Sequence, residues 1–294
     1  ALLTWGTVEG STFLAESEKT RFQVLKKGVM NINNDELYQR FQKSNYIFYS
    51  FSGGRDSALA LYCTIDKYRN TGKHIEALFV DSGDEFPDLL EHVKYVCDFL
   101  NVKLTVLHGD NFIKIYGEKQ QFPDSIHMDC IERLINKPID VYCKSVCGAE
   151  DYVLIRGGKS TQKRPESNTK LLHQLKSKPQ MIIYNPLYEI DINKIDANVI
   201  EKLTWSGYAK GFLRTACWCC PFQKPQQWAQ LKKYYPKLHD KLKIMFAKYD
   251  FILHPGDGHV KYIADYWIKE EMTPVKFKYC KKRENELRSI EIES

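Results

Sequence analysis

The sequence predicts an α/β fold in which a twisted, parallel sheet carries helices on both faces. Short aromatic and β-branched runs at residues 46–51, 75–80 and 102–107 alternate with helical apolar spacing at 58–68 and 86–100. The links between these segments are short, and right-handed crossovers between parallel strands place helices on both faces of a sheet. With 294 residues, of which 43% are hydrophobic, the chain is long enough for one sizeable core.

The other elements are predicted from the same apolar spacing and from residues typical of helix ends. Asn34 and Asp35 can cap the helix predicted at residues 36–43. Residues 110–150 read as loop-rich, and the polar, Lys-rich stretch at 160–180 is expected to be a surface loop. The further strands and helices are predicted, in chain order, at 36–43, 152–155, 181–184, 193–203, 225–235 and 238–249.

The predicted elements and the composition divide the chain into three regions. Residues 1–45 read as a lead-in, 46–205 as the α/β domain, and 206–294 as a small basic region that contains cysteines. The whole chain has a net charge of +6, and residues 206–294 hold 17 Lys and Arg against 10 Asp and Glu. A basic surface of this size suits a polyanion such as nucleic acid or a nucleotide, although an ordinary solvated surface is the alternative.

The cysteines favour metal or redox chemistry over a disulfide scaffold. The chain has nine, an odd number, and they are spread through a long sequence. We therefore expect a reducing, cytoplasmic setting and, because no apolar run approaches the ~18 residues that cross a bilayer, no membrane partner. Each of Cys63 and Cys97 is expected to be a buried thiol on an apolar helix face.

A glycine-rich turn follows the first predicted strand and precedes a helix. Its sequence is Ser52-Gly53-Gly54-Arg55-Asp56-Ser57. Glycines allow backbone N–H groups to surround an anion, and the helix directs its positive end toward the same point. Arg55 adds a permanent positive charge, and Asp56 can hold Mg²⁺ or fix the loop. The turn therefore predicts a phosphate site, although it has neither Walker A nor G-x-G-x-x-G spacing.

Two further motifs accompany this turn, and the three together resemble a known family. The hexapeptide resembles the pyrophosphate-binding PP-loop of the ATP pyrophosphatases. Residues 80–87, Val-Asp-Ser-Gly-Asp-Glu-Phe-Pro, and residues 214–222, Arg-Thr-Ala-Cys-Trp-Cys-Cys-Pro-Phe, resemble segments of the phosphoadenosine phosphosulfate (PAPS) reductase-like group of that superfamily. The motifs stand in the family's order over roughly residues 46–225.

The resemblance implies a sheet with ATP or a related nucleotide at the carboxyl ends of its strands, where open α/β sheets bind ligands. It implies catalytic roles, together with Mg²⁺, for Arg55, Asp56 and Lys159. Lys159 replaces the family's Arg, and Gln162 stands where Glu is usual. The nucleotide-binding residues that it implies are Ser52, Gly53, Gly54, Arg55, Asp56, Ser57, Asp81, Ser82, Gly83, Gly157 and Gly158.

Four cysteines are predicted to hold a metal centre. Cys217 and Cys220 have C-x-x-C spacing, which can bind one metal ion or one edge of a cluster. Cys130 stands in a segment that resembles one of the family's cysteine segments. Cys143 is the predicted fourth ligand, with Cys147 and Cys219 as alternatives. A [4Fe–4S] cluster is preferred, and Zn²⁺ is the alternative because thiolates suit both.

The resemblance implies an ATP pyrophosphatase that adenylates a substrate, releases pyrophosphate and prepares the substrate for sulfur incorporation. The basic last third favours nucleic acid as the acceptor. DNA, as in the DNA phosphorothioation proteins of the DndC and SspD type, is preferred over tRNA, and a cysteine desulfurase is an expected sulfur donor. Aromatic residues among the lysines of this region can stack on bases or form a core: Trp218, Trp228, Tyr234, Tyr235, Tyr266 and Trp267.

Two alternatives stay open. A sulfonucleotide reductase that converts PAPS or its unphosphorylated analogue to sulfite would share the three motifs. Its nucleophilic cysteine lies in an E-C-G-[LI]-H tail, whereas here Cys280 is followed by Lys281-Lys282-Arg283. A nucleotide-sensing binding module without catalysis is the second alternative.

Overall fold

A computed structural model describes residues 32–123, 129–158, 171–248, 251–253, 277–280 and 289–291. Its main feature is a six-stranded sheet with the strand order β3-β2-β1-β4-β6-β5. The strands are β1 (Tyr46–Ser50), β2 (His74–Asp81), β3 (Leu104–His108), β4 (Tyr152–Ile155), β5 (Leu172–Leu175) and β6 (Lys178–Tyr184). All neighbouring strands are parallel except β5 and β6, which are antiparallel. The predicted α/β class is confirmed.

Helices connect and flank these strands. They are α1 (Ile32–Lys43), α2 (Arg55–Arg69), α3 (Leu89–Phe99), α4 (Phe112–Gly117), α5 (Lys137–Cys147), α6 (Ala197–Lys202), α7 (Pro225–Tyr234) and α8 (Pro236–Lys248). A π-helix, Ile131–Asn136, leads into α5, and short 3-10 helices cover Pro186–Tyr188, Ile192–Lys194 and Ser206–Tyr208. A second, small sheet has the order β7 (Phe251–Leu253), β8 (Phe277–Cys280) and β9 (Ser289–Glu291). In the described part of the chain, no helix is long and apolar enough to span a bilayer.

Residues on alternate positions of the strands enter two separate cores, one on each face of the sheet. Ile47 and Tyr49 of β1 belong to the larger core, and Phe48 between them belongs to the smaller one. Both faces are thus covered, which explains why the parallel strands read as continuous apolar runs rather than as alternating ones.

The loop-rich prediction for residues 110–150 is wrong, because much of this segment is helical. Pro138 obscured the pattern, since proline usually ends a helix. Here a π-helix precedes Pro138. In an α-helix the Leu134 carbonyl would accept a hydrogen bond from the N–H of residue 138, which proline lacks. In this structure that carbonyl faces Gly109 instead. A Cβ built on Gly109 would lie 2.9 Å from that carbonyl oxygen. The surface loop predicted at 160–180 also contains β5 and the start of β6.

The boundary predicted near residue 205 does not separate two cores in the described residues. Trp205, Phe212 and Trp228 are buried in the larger core together with residues of the first strands. The ring of Phe86 lies 5.0 Å from that of Trp205 and 4.6 Å from that of Phe212. The segment after 205 is therefore packed onto the sheet domain rather than appended to it.

Candidate nucleotide and cysteine site

The predicted phosphate loop lies where the order of the strands reverses. From β1 the chain proceeds to β2 and β3 on one side, whereas β4 pairs with β1 on the other. Such a switch point at the carboxyl ends of parallel strands is the usual ligand site of an open α/β sheet. Helix α2 begins at Arg55, so its positive end points to the loop formed by residues 52–54.

The loop is held by close backbone packing and by its own hydroxyl groups. Gly53 has φ +70°, and a Cβ there would lie 2.7 Å from Leu89 Cδ1 and 2.9 Å from Val93 Cγ2 of α3. Ser57 Oγ donates a hydrogen bond to the Gly54 carbonyl at 2.8 Å, and it lies 3.1 Å from Ser52 Oγ. Only glycine fits position 53, and two hydroxyl groups stand together at the start of α2.

The chain after β4 forms a second wall of the loop. A Cβ built on Gly157 would lie 2.5 Å from the Ser57 nitrogen and 2.7 Å from the Asp56 carbonyl oxygen. A Cβ on Gly158 would lie 2.6 Å from the side-chain oxygen of the buried Asn185. The structure therefore brings this predicted glycine pair together with the loop. Lys159 and Gln162 lie outside the described residues.

The predicted residues at the end of β2 form a turn held by carboxylates. Asp81 Oδ1 accepts a hydrogen bond from the Gly83 amide at 2.9 Å. Glu85 accepts two hydrogen bonds from Ser82, from the amide at 3.0 Å and from the hydroxyl at 2.9 Å. Burial raises the pKa of Glu85 to about 7, with Ser82 opposing the shift and Asp81 adding to it. This turn thus places an acid that titrates near neutrality beside the strand ends.

Two residues that contact the phosphate loop were missed in the sequence. The Arg55 amide donates a hydrogen bond to Tyr208 Oη at 3.3 Å. A Cβ on Gly54 would lie 3.1 Å from Thr215 Oγ1. Thr215 belongs to the motif at residues 214–222, but nothing in the sequence linked that motif to the phosphate loop. Tyr208 belongs to no motif, so no sequence pattern indicated its contact with the loop.

Three of the four cysteines predicted as ligands line one cavity beside this loop. The cavity has a volume of about 430 Å³, and Cys130, Cys217, Cys220 and Ser52 all line it. Most of its other walls are apolar, including Phe51, Phe79, Leu89, Phe112, Leu134 and Ile139. The structure therefore joins the phosphate loop and the cysteines in a single site.

The loop that carries Cys217 and Cys220 is fixed by hydrogen bonds from both sides. The Trp218 amide donates to the carbonyl oxygen of the buried Asp84 at 3.0 Å. The side-chain amide of Gln223, also buried, donates to the Cys217 carbonyl at 2.7 Å. The Cys220 amide donates to the Cys217 carbonyl at 3.1 Å, which closes the tight turn between the two thiols.

The other cavity cysteine, Cys130, directly precedes the π-helix. Its amide donates a hydrogen bond to Tyr116 Oη at 2.9 Å. π-helical turns occur often at functional sites, where the extra residue per turn redirects side chains. The same cavity is lined by Ile131, Leu134 and Ile135 of this turn.

The three thiols lie in surroundings that disfavour their ionisation, because burial raises the pKa of each. Burial raises the pKa of Cys217 well above its ordinary value, and negative charge on Cys220, Glu85, Asp84 and Cys130 adds to the shift. Burial likewise raises the pKa of Cys220, against the positive charge of Arg214, whose guanidinium donates to Cys220 Sγ at 3.4 Å. A cation that bound these sulfurs would therefore be needed to keep them as thiolates.

Cys143, the predicted fourth ligand, is not at the cavity. It is fully buried in the smaller core on the opposite face of the sheet, together with its alternative Cys147. Their spacing of four places both on one face of α5, and that face packs against Phe48 and Tyr152. Cys219, the remaining alternative, is fully buried in the larger core. All these cysteines are free thiols.

The donor chemistry of the cavity suits either of the two predicted metal centres. Cys130, Cys217 and Cys220 line it, and thiolates bind both a [4Fe–4S] cluster and Zn²⁺. Within the described ranges, no group of three or more Cys, His, Asp or Glu side chains stands close enough to hold a metal ion.

The comparison with known protein families agrees with this geometry. Residues 46–222 match the phosphoadenosine phosphosulfate reductase domain. This chain belongs to that family. The PAPS reductase domain thus begins at β1, contains the phosphate loop and all three cavity cysteines, and extends across the boundary expected at 205.

Relatives of this PAPS reductase domain protein include two uncharacterized proteins of Methanocaldococcus jannaschii. One is 26% identical over 76% of this chain and 46% of its own length. The other is 27% identical over 90% of this chain and 61% of its own length. An uncharacterized nin region protein of Escherichia phage lambda is 41% identical over 21% of each chain. This chain thus spans about half the length of the first relative and three fifths of the second.

Two solved structures are similar to this PAPS reductase domain protein at low scores. A PAPS reductase of Candida auris has a TM-score of 0.43 and 15% identity, covering 65% of this chain and 97% of its own. The U34-tRNA thiolase NcsA of Methanococcus maripaludis, solved with its [4Fe–4S] cluster, has a TM-score of 0.38 and 15% identity, covering 83% and 77%.

Proposed function

We propose that this protein is an ATP pyrophosphatase that adenylates a substrate and prepares it for sulfur incorporation. The observation that carries the proposal is the shared cavity: Ser52 of the phosphate loop and three cysteine thiols line the same space. Nucleotide activation and sulfur chemistry can therefore act on one bound substrate without its release.

In the proposed first step, an oxygen of the substrate attacks the α-phosphorus of ATP and pyrophosphate leaves. The leaving group gains negative charge, which the N-terminus of α2 and Arg55 are placed to stabilise. Asp56 and Lys159 are the further candidates for catalysis, and Mg²⁺ bound with ATP would neutralise the phosphates. Asp81, Ser82 and Gly83 would contact the ribose or base from the end of β2.

In the proposed second step, a sulfur donor displaces AMP from the adenylated substrate. The new bond joins sulfur to the substrate, and the bond to the AMP oxygen breaks, so the oxygen leaves with AMP. Cys130, Cys217 and Cys220 would hold a [4Fe–4S] cluster beside this step, with Zn²⁺ as the alternative metal. When bound, such a cluster would supply iron with an affinity for sulfur.

The proposed acceptor is nucleic acid, with DNA preferred over tRNA. The excess of Lys and Arg after residue 205 supports a polyanionic partner. A cysteine desulfurase in the cytoplasm is the proposed source of sulfur. Its persulfide displaces AMP and forms a disulfide between the substrate and the donor cysteine. A second thiol then attacks the sulfur of the donor cysteine, so that the substrate keeps a thiolate and the two thiols leave as a disulfide.

A sulfonucleotide reductase is the second candidate, favoured by the family match over residues 46–222. That reaction needs a nucleophilic cysteine that attacks the sulfur of the substrate. The sequence after Cys280 lacks the tail that such reductases carry, and the surroundings of that side chain lie outside the described residues. The adenylation proposal does not depend on Cys280.

The deciding experiment uses anaerobically purified protein with Mg²⁺ and α-labelled ATP, with and without DNA or tRNA. We expect AMP and pyrophosphate, with greater release when DNA is present. If ATP is not cleaved under any of these conditions while PAPS or its analogue yields sulfite with a thiol reductant, the reductase replaces the adenylation proposal. Asp56→Ala should abolish turnover with little loss of folded structure.

A further inference from the structure

One face of helix α8 is a row of exposed lysines. Lys237, Lys241, Ile244 and Lys248 follow one another at spacings of four, three and four residues, which places them on the same side of a helix. All four are exposed, and Ile244 is 56% exposed. The opposite side of α8 is buried, through Leu242, Met245 and Phe246.

The end of helix α7, three residues before Lys237, carries an exposed aromatic ring. Tyr234 is 40% exposed, and the Lys233 ammonium lies 5.0 Å from the centre of its ring. By contrast, Trp218 and Trp228, two of the aromatic residues expected either to stack on bases or to form a core, are buried. Tyr234 therefore keeps its ring available for a planar ligand.

The hairpin formed by α7 and α8 is rigidly anchored. Tyr235, between the two helices, donates a hydrogen bond to Asp88 at 2.9 Å, and its ring lies 5.6 Å from that of Phe86. Phe246 stacks on Phe122 at 4.5 Å. The exposed face thus has a fixed position relative to the sheet domain, as a docking surface requires.

This face also lies near the cysteine cavity. Phe246 of α8 stacks on Phe122, and the next residue, Pro123, lines the cavity. A ligand that lies along α8 therefore passes close to the predicted reaction site.

The charge of the hairpin is almost entirely positive. Between residues 224 and 248 the sequence has one acidic residue, Asp240. The same segment contains the lysines Lys224, Lys232, Lys233, Lys237, Lys241, Lys243 and Lys248.

An anionic membrane surface does not fit this face, because a membrane-binding helix exposes a broad apolar side, and that side of α8 is buried in the core.

We propose that the α7–α8 hairpin is the docking surface for single-stranded DNA, with Lys237, Lys241 and Lys248 on the phosphates and Tyr234 stacked on a base. The choice of DNA as the ligand rests on the proposed function. The place where it binds rests on the residues of the hairpin. Evenly spaced lysines follow a phosphate backbone, and an exposed ring can stack only on a base that is not already stacked within a duplex.

The test measures binding of a fluorescein-labelled thymidine oligonucleotide by anisotropy across a salt series, without ATP. The triple variant Lys237→Gln, Lys241→Gln, Lys248→Gln should reduce the slope of log K against log salt by about 2, since each phosphate contact of a single strand contributes ~0.7. Tyr234→Ala should weaken binding about 5-fold or more with little change in slope. Circular dichroism checks that the variants remain folded.

The matched control removes three exposed lysines from other helices: Lys43→Gln, Lys67→Gln, Lys94→Gln. It changes the net charge equally and should retain the wild-type slope. An equal loss in both triple variants would overturn the assignment to the hairpin. Wild-type protein that prefers RNA or duplex DNA of the same sequence would overturn the choice of single-stranded DNA. ATP cleavage, measured separately, tests the proposed function without affecting these results.

Discussion

Gly157 lies directly against the amide nitrogen of Ser57, so that a Cβ at position 157 would stand 2.5 Å from it. Two segments far apart in the sequence, the turn after β4 and the first turn of α2, thereby meet at the predicted phosphate cradle. The contact is between backbone atoms, which cannot move aside as a flexible side chain can.

Gly157→Ala should therefore weaken ATP binding. Overpacking at a rigid contact costs about 1–3 kcal/mol, which here would displace the loop and reduce the affinity by about 5- to 150-fold. Isothermal titration calorimetry with ATP and Mg²⁺ measures this. Gly72→Ala is the control, because a Cβ at Gly72 would contact no atom within 4 Å. Since Gly72 has a φ of +73°, this variant should be less stable but should bind ATP with unchanged affinity. Equal affinities for both variants would contradict the cradle.

The cysteines should separate into two groups when each is replaced by serine. Cys130→Ser, Cys217→Ser and Cys220→Ser should each reduce bound iron and visible absorbance in anaerobically purified protein, because each removes a thiolate from the cavity. Cys143→Ser should keep the iron and lose about 1–3 kcal/mol of stability, since it buries a hydroxyl group in an apolar core.

Iron analysis and chemical denaturation together check this separation. A Cys143→Ser protein without iron would restore the original fourth-ligand prediction. Zinc in place of iron in wild-type protein would favour the alternative metal.

Glu76 predicts a dependence of stability on acid pH. Its side chain is fully buried in β2 and accepts hydrogen bonds from Tyr142 at 2.7 Å and Thr105 at 3.0 Å, and it pairs with Lys103. Burial alone would raise the pKa of Glu76, but these donors outweigh it and hold the pKa below its ordinary value. The unfolded chain therefore binds the proton more tightly, and this carboxylate stabilises the fold above about pH 4.5 and loses that effect as the pH falls.

Glu76→Gln should flatten this acid dependence and lower stability at neutral pH by about 1–3 kcal/mol, because the donors lose a charged acceptor. Urea unfolding over a pH series measures both effects. The exposed Glu91→Gln should leave the acid limb unchanged. A Glu76→Gln protein whose stability still falls as steeply toward low pH would show that other groups control it.

Asp88 and Lys210 should couple energetically, because they fasten the segment after residue 205 to α3. Lys210 Nζ donates to Asp88 at 3.0 Å and to Tyr235 Oη at 2.9 Å. A double-mutant cycle with Asp88→Asn and Lys210→Met should give about 0.5–1 kcal/mol, since both side chains are partly exposed. Additive effects in urea unfolding, which adds no salt, would mean that the ion pair does not help to dock this segment.

Local sequence patterns were sufficient to predict the parallel strands and the position of the glycine-rich turn, but not the antiparallel strand β5. Parallel strands such as β1 and β4 are buried on both faces, so their apolar runs are visible without knowledge of their partners. The loop was visible because its function depends on residues adjacent in the chain, Gly53 and Gly54 followed by the start of α2. The helices between 110 and 150 were missed because Pro138 interrupts the local pattern.

The sequence by itself determined the family, the fold class and a glycine-rich turn between a strand and a helix, because each depends on short-range order along the chain. Only the tertiary structure decided that Cys130 meets Cys217 and Cys220 whereas Cys143 does not. The helical turn of α5 directs Cys143 into the opposite core, whereas Cys130, directly before the π-helix, lies at the cavity. The physical reason is that side chains distant in sequence meet only through packing, which no local pattern of residues records.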